Sequence, residues 1–319
     1  MTRAARQTEG AFRSGGDVNA ARFFYPDTPD IPVPDGHRFP AMKYRQLLER
    51  VRDEAILPPE MMAPSPIADR GLLAVVHCPD YVANALAGRL DERAMKRIGI
   101  PWSEAFMLRA RATVGGTLAA ARAALRCGYG GQLAGGTHHA HHAHGAGFCM
   151  FNDTAIAARV LIGEAAVHRV AILDLDVHQG DGTARLLAGD PAVMTVSVHG
   201  AHNYPFTKEL SDLDIALPDG TDDAAYLEAL HVAVAALMRF QPDLVLYISG
   251  ADALAQDRLG RLALTLQGLQ ARDEVVFRFC REQRLPVAVV IGGGYAEPIG
   301  ISVAGYANTF RALRTVFGF

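Results

Sequence analysis

The sequence is most informative at residues 174–182, Asp174-Leu175-Asp176-Val177-His178-Gln179-Gly180-Asp181-Gly182, which directly follow an apolar run at 170–173. This pattern predicts a buried parallel strand and the turn after it. Side chains two positions apart share a face of a strand, so Asp174, Asp176 and His178 lie together. Open α/β sheets bind ligands at the carboxyl ends of their strands. Two carboxylates and an imidazole there predict a catalytic site for zinc or a similar divalent metal, and therefore a metal hydrolase.

Each of these residues also has a simpler interpretation. An aspartate near a strand end commonly caps the next helix, and Asp181-Gly182 is an ordinary turn signal. That interpretation is favoured for any one of the residues taken alone. For the polar residues together the metal site is favoured, because each would be costly to bury without a partner.

Length and composition define the broad class of protein. The chain has 319 residues, of which 50% are hydrophobic and 20% charged, so a single large α/β domain with a substantial core is expected. A net charge of −3 gives no general attraction to nucleic acid or to an anionic membrane, and we expect neither as a partner. The scattered cysteines and the absence of targeting or membrane-spanning patterns favour a cytoplasmic protein with reduced thiols.

Strand-like and helical patterns alternate along the chain. Strands are predicted at 72–77, 170–175, 193–198, 244–249 and 287–291, and helices at about 41–55, 113–126, 153–163, 182–188, 222–239, 266–283 and 301–315. The alternation predicts βαβ units, with a mostly parallel central sheet and helices on both faces. Residues 1–20 are predicted to be a poorly ordered leader, 22–40 an extended segment, and 21–319 a single catalytic domain.

Histidines are concentrated in residues 135–145 (GGTHHAHHAHG), which precede 147–153 (GFCMFND). A poly-histidine metal tract is one interpretation, but the glycine flanks and the apolar stretch that follows favour a packed loop. The adjacent pair His138-His139 can supply a general base and its electrostatic partner if a carboxylate supports each ring. The available carboxylates are those of Asp174 and Asp181. The remaining histidines are expected to face solvent or to cap the loop: His141, His142 and His144.

Three further strand ends carry polar residues. Asp252 ends the segment 246–252 (LYISGAD) and is predicted as a third metal ligand, although alone it reads as a helix cap. Tyr295 follows three glycines after the strand at 287–291, where its hydroxyl can stabilise an oxyanion; a packed tyrosine in a glycine-rich turn is the alternative. Ser197, with nearby carbonyls and Asp174, suits a monovalent cation, although a strand serine usually has only a structural role.

In this order the motifs resemble the zinc-dependent histone deacetylase family. The matching pieces are 135–139, 147–153, 174–182, 250–252 and 292–295, and the resemblance covers roughly residues 22–315. The segments 211–226 and 250–262 are most similar to the class IV branch and its bacterial relatives. The resemblance implies the arginase/deacetylase fold, with about eight strands in the central sheet.

The resemblance also implies roles for individual residues. Zinc would be bound by Asp176, His178 and Asp252, and the amide carbonyl would be polarised by Tyr295. His139 would be the general base and acid, and Asp181 would support its ring. His138 would be the electrostatic partner of His139, and Asp174 would support it.

The same resemblance implies a second ion site and a substrate tunnel. Structural potassium would involve Asp174, Asp176, His178, Ser197 and Val198, through side-chain or backbone oxygens. The acyl-lysine tunnel would be lined by Gly147, Phe148, Tyr204 and Leu259. Arg38 would match an arginine behind the active site.

The chain departs from the family pattern in two places. Gln179 stands where a histidine often follows the zinc ligand, a change that class IV relatives share. The segment between Tyr81 and Val114 is short; it has no match for the rim aspartate that holds the substrate backbone, and it lacks the long insertion of the polyamine deacetylases.

The predicted activity is hydrolysis of N-acyl-lysine, as a deacetylase or longer-chain deacylase. Zinc and potassium are the implied cofactors, and an acyl-lysine protein is the implied partner. One alternative is a small acylated amine, such as an acetylpolyamine, as substrate at the same site. A dimanganese ureohydrolase is disfavoured because His138-His139 supplies no bridging carboxylate. A binding module without turnover has no need of both a base and an oxyanion donor.

Overall fold

The computed structural model describes residues 21–319, and the predicted leader at 1–20 lies outside the described residues. Within that part of the chain, eight strands form one sheet. They are β1 (Phe23–Tyr25), β2 (Met62–Pro64), β3 (Tyr129–Gln132), β4 (Val170–Asp174), β5 (Val193–Gly200), β6 (Leu213–Leu217), β7 (Leu244–Ser249) and β8 (Val287–Ile291). Their order is β2-β1-β3-β8-β7-β4-β5-β6, and every pair of neighbours is parallel.

Helices connect these strands and cover the sheet. They are α1 (Lys43–Asp53), α2 (Arg70–Leu73), α3 (Pro79–Leu86), α4 (Glu92–Ile98), α5 (Glu104–Cys127), α6 (Asp153–Gly163), α7 (Asp181–Leu187), α8 (Asp223–Phe240), α9 (Leu266–Glu282) and α10 (Gly300–Phe317). None of these helices is both long and apolar enough to cross a bilayer.

The sheet separates two apolar cores, because successive side chains of a strand point to opposite faces. In β4, Leu173 packs into the core under α8, α9 and α10, whereas Ile172 packs into the core under α5 and α6. Neighbouring β7 repeats the alternation with Tyr247 and Leu246. The predicted α/β architecture, with helices on both faces, is confirmed.

The predicted strand at 72–77 is wrong. Its first residues belong to α2, which begins after Asp69, whose side chain accepts a hydrogen bond of 2.7 Å from the Leu72 amide. Turns follow at 74–76. Burial recurs at Leu73, Val76 and His77, a helical spacing, whereas Val75 is exposed. The apolar run therefore packs on the core as a helix and turn, outside the sheet.

Four strands of the sheet lie outside the predicted ones. β1 and β2 are only three residues long, β3 contains two glycines, and β6 carries a polar Asp214 on the edge of the sheet. Short, glycine-containing or polar segments lack the apolar run that predicted β4, β5, β7 and β8. The four strands with such a run occupy consecutive central positions of the sheet.

This order of strands positions the site. Because β4, β7 and β8 are neighbours, the segments after them meet at one edge of the sheet. The segment after β4 carries Asp176 and His178, that after β7 carries Asp252, and that after β8 carries Tyr295.

Candidate metal and catalytic site

Two carboxylates and one imidazole form a buried cluster at this edge. Asp176, His178 and Asp252 each offer one ligand atom, and these atoms all lie within 4.8 Å of one another. Nδ1 of His178 lies 2.9 Å from Oδ1 of Asp176 and 3.1 Å from Oδ2 of Asp252. The Val177 amide donates to the other oxygen of Asp252, at 3.0 Å, which ties the two strand ends together. The structure thus brings together the three predicted zinc ligands.

The electrostatics of this cluster suit a divalent cation. Burial, followed by the charge of Asp176, raises the pKa of Asp252 to about 7. Burial lowers the pKa of His178, but its hydrogen bonds to Asp176 and Asp252 outweigh that effect and raise it to about 10. A proton on Nδ1 of His178 therefore occupies the space between the two carboxylates. A metal ion at that position would neutralise the same negative charge, and the mixed oxygen and nitrogen donors fit zinc.

Glycines allow the backbone to approach the carboxylates closely. The Gly293 amide donates a hydrogen bond to Oδ2 of Asp176. A Cβ atom at this position would lie 1.9 Å from Oδ2 of Asp252. The glycines after β8 are therefore required by space at the cluster.

The adjacent histidines each have a carboxylate behind them. Nδ1 of His138 lies 2.6 Å from Oδ2 of Asp174, and Nδ1 of His139 lies 2.6 Å from Oδ1 of Asp181. Both imidazoles are almost fully buried. These are the pairings that the family resemblance implies.

The two imidazoles differ in protonation. Burial lowers the pKa of His138, but the charges of Asp174 and Asp176 outweigh it and raise that pKa to about 9. Burial and the neighbouring charge of His138 lower the pKa of His139 to about 4, against the opposing effect of Asp181. His138 is therefore cationic at neutral pH and His139 is neutral. With its Nδ1 proton held by Asp181, His139 has Nε2 free to accept a proton.

The other histidines of this loop only partly follow the prediction. His142 is exposed and caps the loop through Nδ1, 2.7 Å from the Val76 carbonyl. His141 does not face solvent, because its Nε2 lies 3.1 Å from Oδ2 of Asp181 and its side chain is 15% exposed. His144 stacks on His141 with a centroid distance of 4.6 Å. Asp181 thus supports two imidazoles.

Tyr295 projects toward the cluster from the segment after β8. Its ring centroid lies 6.3 Å from that of His178, and the residue is 8% exposed. Burial, followed by the charges of Asp176 and Asp252, raises the pKa of its phenol, so the hydroxyl keeps its proton and acts as a donor. Its backbone amide donates to Oδ2 of Asp257 at 2.6 Å.

Two residues near Tyr295 were missed by the sequence analysis. Asp257 also accepts hydrogen bonds from the amides of Leu259 and Gly260, so it fixes the loop beside Tyr295. Lys43 is 1% exposed, and its Nζ lies 5.0 Å from the centroid of the Tyr295 ring. Asp257 lies in the segment 250–262, which resembles the class IV branch, but the resemblance assigned it no role. Nothing in the sequence around Lys43 distinguished it from the other polar residues of a predicted helix.

Arg38 lies elsewhere than expected. The small interior cavity behind the site, about 30 Å³ in volume, is bordered by Lys43. Arg38 is exposed and borders the outer cavity that opens to solvent. The expectation that it lies behind the active site is therefore wrong, and the cation there is a lysine.

The outer cavity leads to the cluster and has a volume of about 390 Å³. All four predicted tunnel residues line it: Gly147, Phe148, Tyr204 and Leu259. His139, His178 and Tyr295 border the same cavity. Gly147 has φ +51° and passes so close to His139 that a Cβ atom would lie 2.4 Å from Cδ2 of that ring. The tunnel wall therefore requires glycine at this position.

Three of the predicted potassium residues lie on adjacent strands, and the other two, Asp176 and His178, follow the end of β4. Asp174 and Ser197 are register partners across the β4–β5 pair, and Val198 is the next residue of β5. Oδ1 of Asp174 accepts from the Asp176 amide at 3.1 Å, and Oγ of Ser197 lies 3.0 Å from Nδ1 of His199. A carboxylate and a hydroxyl side by side are oxygen donors suited to a hard cation.

Gln179 connects the site to the loop that carries Tyr204. Its amide nitrogen donates to the Glu209 carbonyl and to Oδ1 of Asp214, each at 2.7 Å, and its oxygen accepts from the Glu209 amide at 2.9 Å. Three hydrogen bonds made by a neutral amide give this departure from the family pattern a structural role.

Comparisons with known proteins identify the family and the fold. The sequence profile of the histone deacetylase domain matches residues 37–309. An uncharacterized protein of Picosynechococcus sp. is 44% identical over 287 residues, which cover 90% of this chain and 96% of that protein. Histone deacetylase 2 of Arabidopsis thaliana is 30% identical over 271 residues, covering 82% of this chain and 70% of the plant protein.

A solved structure has the same fold. It is that of an acetylpolyamine aminohydrolase from Burkholderia pseudomallei, with a TM-score of 0.70 and 22% sequence identity. The match covers 93% of this chain and 99% of that one. At this identity the similarity concerns the fold alone.

Proposed function

This chain belongs to the histone deacetylase family of amide hydrolases, and on that premise we propose that it is a zinc-dependent deacylase of N-acyl-lysine. One observation carries the proposal. A neutral imidazole (His139) and a phenol (Tyr295) border the same cavity as His178 of the buried Asp–His–Asp cluster. Hydrolysis of an amide needs a base, an oxyanion donor and an electrophile around one carbonyl.

The residues of the chain divide the work of the reaction. Nε2 of His139 takes a proton from the attacking water, while Asp181 holds the proton on Nδ1 and fixes the ring. The hydroxyl of Tyr295 donates to the carbonyl oxygen as negative charge develops there. His139 then returns its proton to the leaving amine, which departs as neutral lysine. Cationic His138, paired with Asp174, adds positive charge beside the reacting centre.

Zinc held by Asp176, His178 and Asp252 would supply the Lewis acid that polarises the carbonyl and acidifies the water. Potassium held by oxygens of Asp174, Ser197 and Val198 would fix the β4 and β5 strand ends behind this site.

The tunnel supports the choice of substrate. Phe148, Tyr204 and Leu259 present apolar surface between solvent and the cluster. A neutral acyl-lysine arm loses little solvation there, whereas a charged lysine would lose a great deal. An extended acyl-amine arm therefore fits the tunnel.

The test is hydrolysis of one lysine peptide carrying acyl groups from acetyl to long fatty chains. We expect turnover that a chelator abolishes and added zinc restores, and the preferred chain length reports the depth of the tunnel. His178→Ala abolishes turnover, whereas His168→Ala, an exposed histidine before β4, retains it. Stoichiometric zinc binding without turnover of any peptide would contradict the proposal and favour small acylated amines or a binding module.

A further inference from the structure

Basic side chains are concentrated at the mouth of the outer cavity. Its lining contains four basic side chains and, within residues 21–319, no carboxylate: Arg38, Lys96, Arg97 and Arg261. The chain as a whole has a net charge of −3, so this concentration of positive charge is local.

Within residues 21–319, two of the four cations form exposed ion pairs and the other two form none. Lys96 pairs with Glu92 at 2.7 Å on the exposed surface of α4, and Arg261 pairs with Asp219 at 3.2 Å. No salt bridge or side-chain hydrogen bond within the described part of the chain involves the exposed guanidinium groups of Arg38 and Arg97. The mouth therefore keeps a net positive charge.

The cations stand on three separate segments around the opening. Arg38 precedes α1, Lys96 and Arg97 lie in the last turns of α4, and Arg261 lies between β7 and α9. The side chain of Phe206, 85% exposed, also borders the opening and offers an apolar contact. A ligand with carboxylates on both sides of the acyl-lysine can contact charges on more than one of these segments.

We propose, on the basis of the deacylase function above, that the enzyme selects acyl-lysine flanked by acidic residues in an extended peptide segment. Carboxylates of the peptide pair with the mouth while the acyl-lysine arm occupies the tunnel. Opposite charges speed encounter and fix the register of such a segment. The same charges repel cationic carriers, including acylated polyamines.

The test compares three acyl-lysine peptides of equal length, with acidic, uncharged or basic neighbours on both sides of the lysine. We expect kcat/KM to be about fivefold or more higher for the acidic than for the uncharged peptide, and lowest for the basic one. Because the ion pairs are exposed, raising the ionic strength from 0.05 M to 0.5 M should reduce this ratio toward one.

Variants assign the preference to the mouth. Arg38→Gln and Arg97→Gln should each lower the ratio of acidic to uncharged peptide, and the double variant should lower it further. The matched control is Arg239→Gln, an exposed arginine at the end of α8, before β7 and away from the carboxyl edge of the sheet. This control should leave the ratio unchanged.

The outcomes separate this inference from the proposed function. Turnover of all three peptides at equal rates, or a preference for basic neighbours, overturns the charge selection and leaves the deacylase function intact. Absence of turnover of every peptide contradicts the proposed function. In that case fluorescence anisotropy measures the affinity of the protein for each peptide, and equal affinities for all three overturn the charge selection. Acetylated aminoalkyl carboxylates and acetylated aminoalkyl phosphonates form a further arm. If kcat/KM were higher for these small anions than for the acidic peptide, the claim that the negative charge belongs to a peptide would be wrong.

Discussion

Two neighbouring histidines of one loop differ in charge, one cationic and one neutral, because their surroundings differ. His138 faces two carboxylates, Asp174 and Asp176, and its pKa rises to about 9. His139 is equally buried but lies beside cationic His138, and its pKa falls to about 4. Groups whose environments move their pKa values apart are typical of acid–base sites. The neutral member is the one that borders the tunnel.

Replacing Tyr295 by phenylalanine tests the role of its hydroxyl. We expect Tyr295→Phe to lower kcat/KM by about 10²-fold or more, because the transition state loses an oxyanion donor. Steady-state kinetics on an acetyl-lysine peptide measure this loss. Thermal unfolding serves as the control and should change little, since the ring and its packing remain. A rate within threefold of the wild type would contradict the assigned role.

A third histidine links pH to stability. His77 is fully buried, with Nδ1 2.9 Å from the His141 carbonyl and Nε2 accepting from the Asn152 amide at 2.9 Å. Burial lowers its pKa from 6.5 to about 4. In the unfolded chain His77 therefore binds a proton below pH 6.5, whereas in the folded chain it binds one only below about pH 4. Stability contributed by this residue is present above pH 6.5 and declines as the pH falls.

We expect the contribution of His77 to the free energy of unfolding to fall by about 2 kcal/mol when the pH is lowered from 7.5 to 5. Urea unfolding of the wild type and of His77→Gln at both values measures the effect, because other histidines titrate equally in both proteins. The variant is the less stable protein at pH 7.5, and the difference narrows at pH 5. An unchanged difference would refute the linkage.

At the scale of the elements, the ends of β4 and β7 are fastened to each other by a buried arginine. Nη1 of Arg272, in α9, donates to the carbonyls of Leu175 at 3.2 Å and Gly250 at 2.8 Å. Arg272 also pairs with buried Asp273 at 2.8 Å. Leu175 immediately precedes Asp176, and Gly250 lies two positions before Asp252, so Arg272 is a positioning residue for the Asp–His–Asp cluster.

Replacing Arg272 by methionine should weaken both the fold and the metal site. We expect a loss of about 3 kcal/mol or more in the free energy of unfolding, since buried Asp273 loses its charged partner. Zinc affinity should fall about tenfold or more, because the strand ends are no longer held. Urea unfolding and competition with a chromophoric chelator measure the two effects.

The matched control lies in the same helix. Arg278 is 63% exposed and forms an exposed ion pair with Glu274 in the preceding turn of the helix, so Arg278→Met should cost at most about 1 kcal/mol. Zinc affinity should not change in this variant. If Arg272→Met destabilised the protein but bound zinc as tightly as the wild type, its role would be structural only.

The sequence predicted those elements whose pattern is local. The apolar runs of β4, β5, β7 and β8 identified the central strands, and the polar residues after them identified the Asp–His–Asp cluster. The run at 72–77 misled because an apolar run of that length fits a strand as well as a helix and turn. Strands β1 and β2 form because they pair with neighbouring strands of the sheet. Each has only three residues, which is too short to show the alternation of apolar and polar residues that predicts a strand.

Long-range partners were beyond prediction from the pattern alone. Lys43 reaches Tyr295 from a helix some 250 positions earlier in the chain, and its burial depends on aromatic rings gathered by the fold. His141 looked equivalent to His142 and His144 in sequence. His141 differs from the other two because the fold of the loop brings its imidazole to the carboxylate of Asp181.

At the scale of the whole molecule, metal binding and folding should be coupled. Burial and the charge of Asp176 raise the pKa of Asp252 to about 7, which means that an ionised Asp252 destabilises the metal-free fold. Zinc at a hundredfold excess over its dissociation constant should add about 3 kcal/mol to the free energy of unfolding. Urea unfolding at pH 8, with and without zinc, measures the gain.

Replacing Asp252 by asparagine provides the control. This variant should lose the gain from zinc, yet its metal-free form should be no less stable than the metal-free wild type, because the repulsion from Asp176 is relieved. An equal gain from zinc in both proteins would place the metal elsewhere.

The central claim is that one zinc ion in the Asp176–His178–Asp252 cluster makes this chain an acyl-lysine hydrolase. The most direct test is to titrate zinc into chelator-treated protein and to record both bound metal and hydrolysis of an acetyl-lysine peptide. We predict that activity rises linearly from zero and reaches a plateau at one zinc per chain. Activity that persists without metal, or that requires two ions per chain, would contradict it.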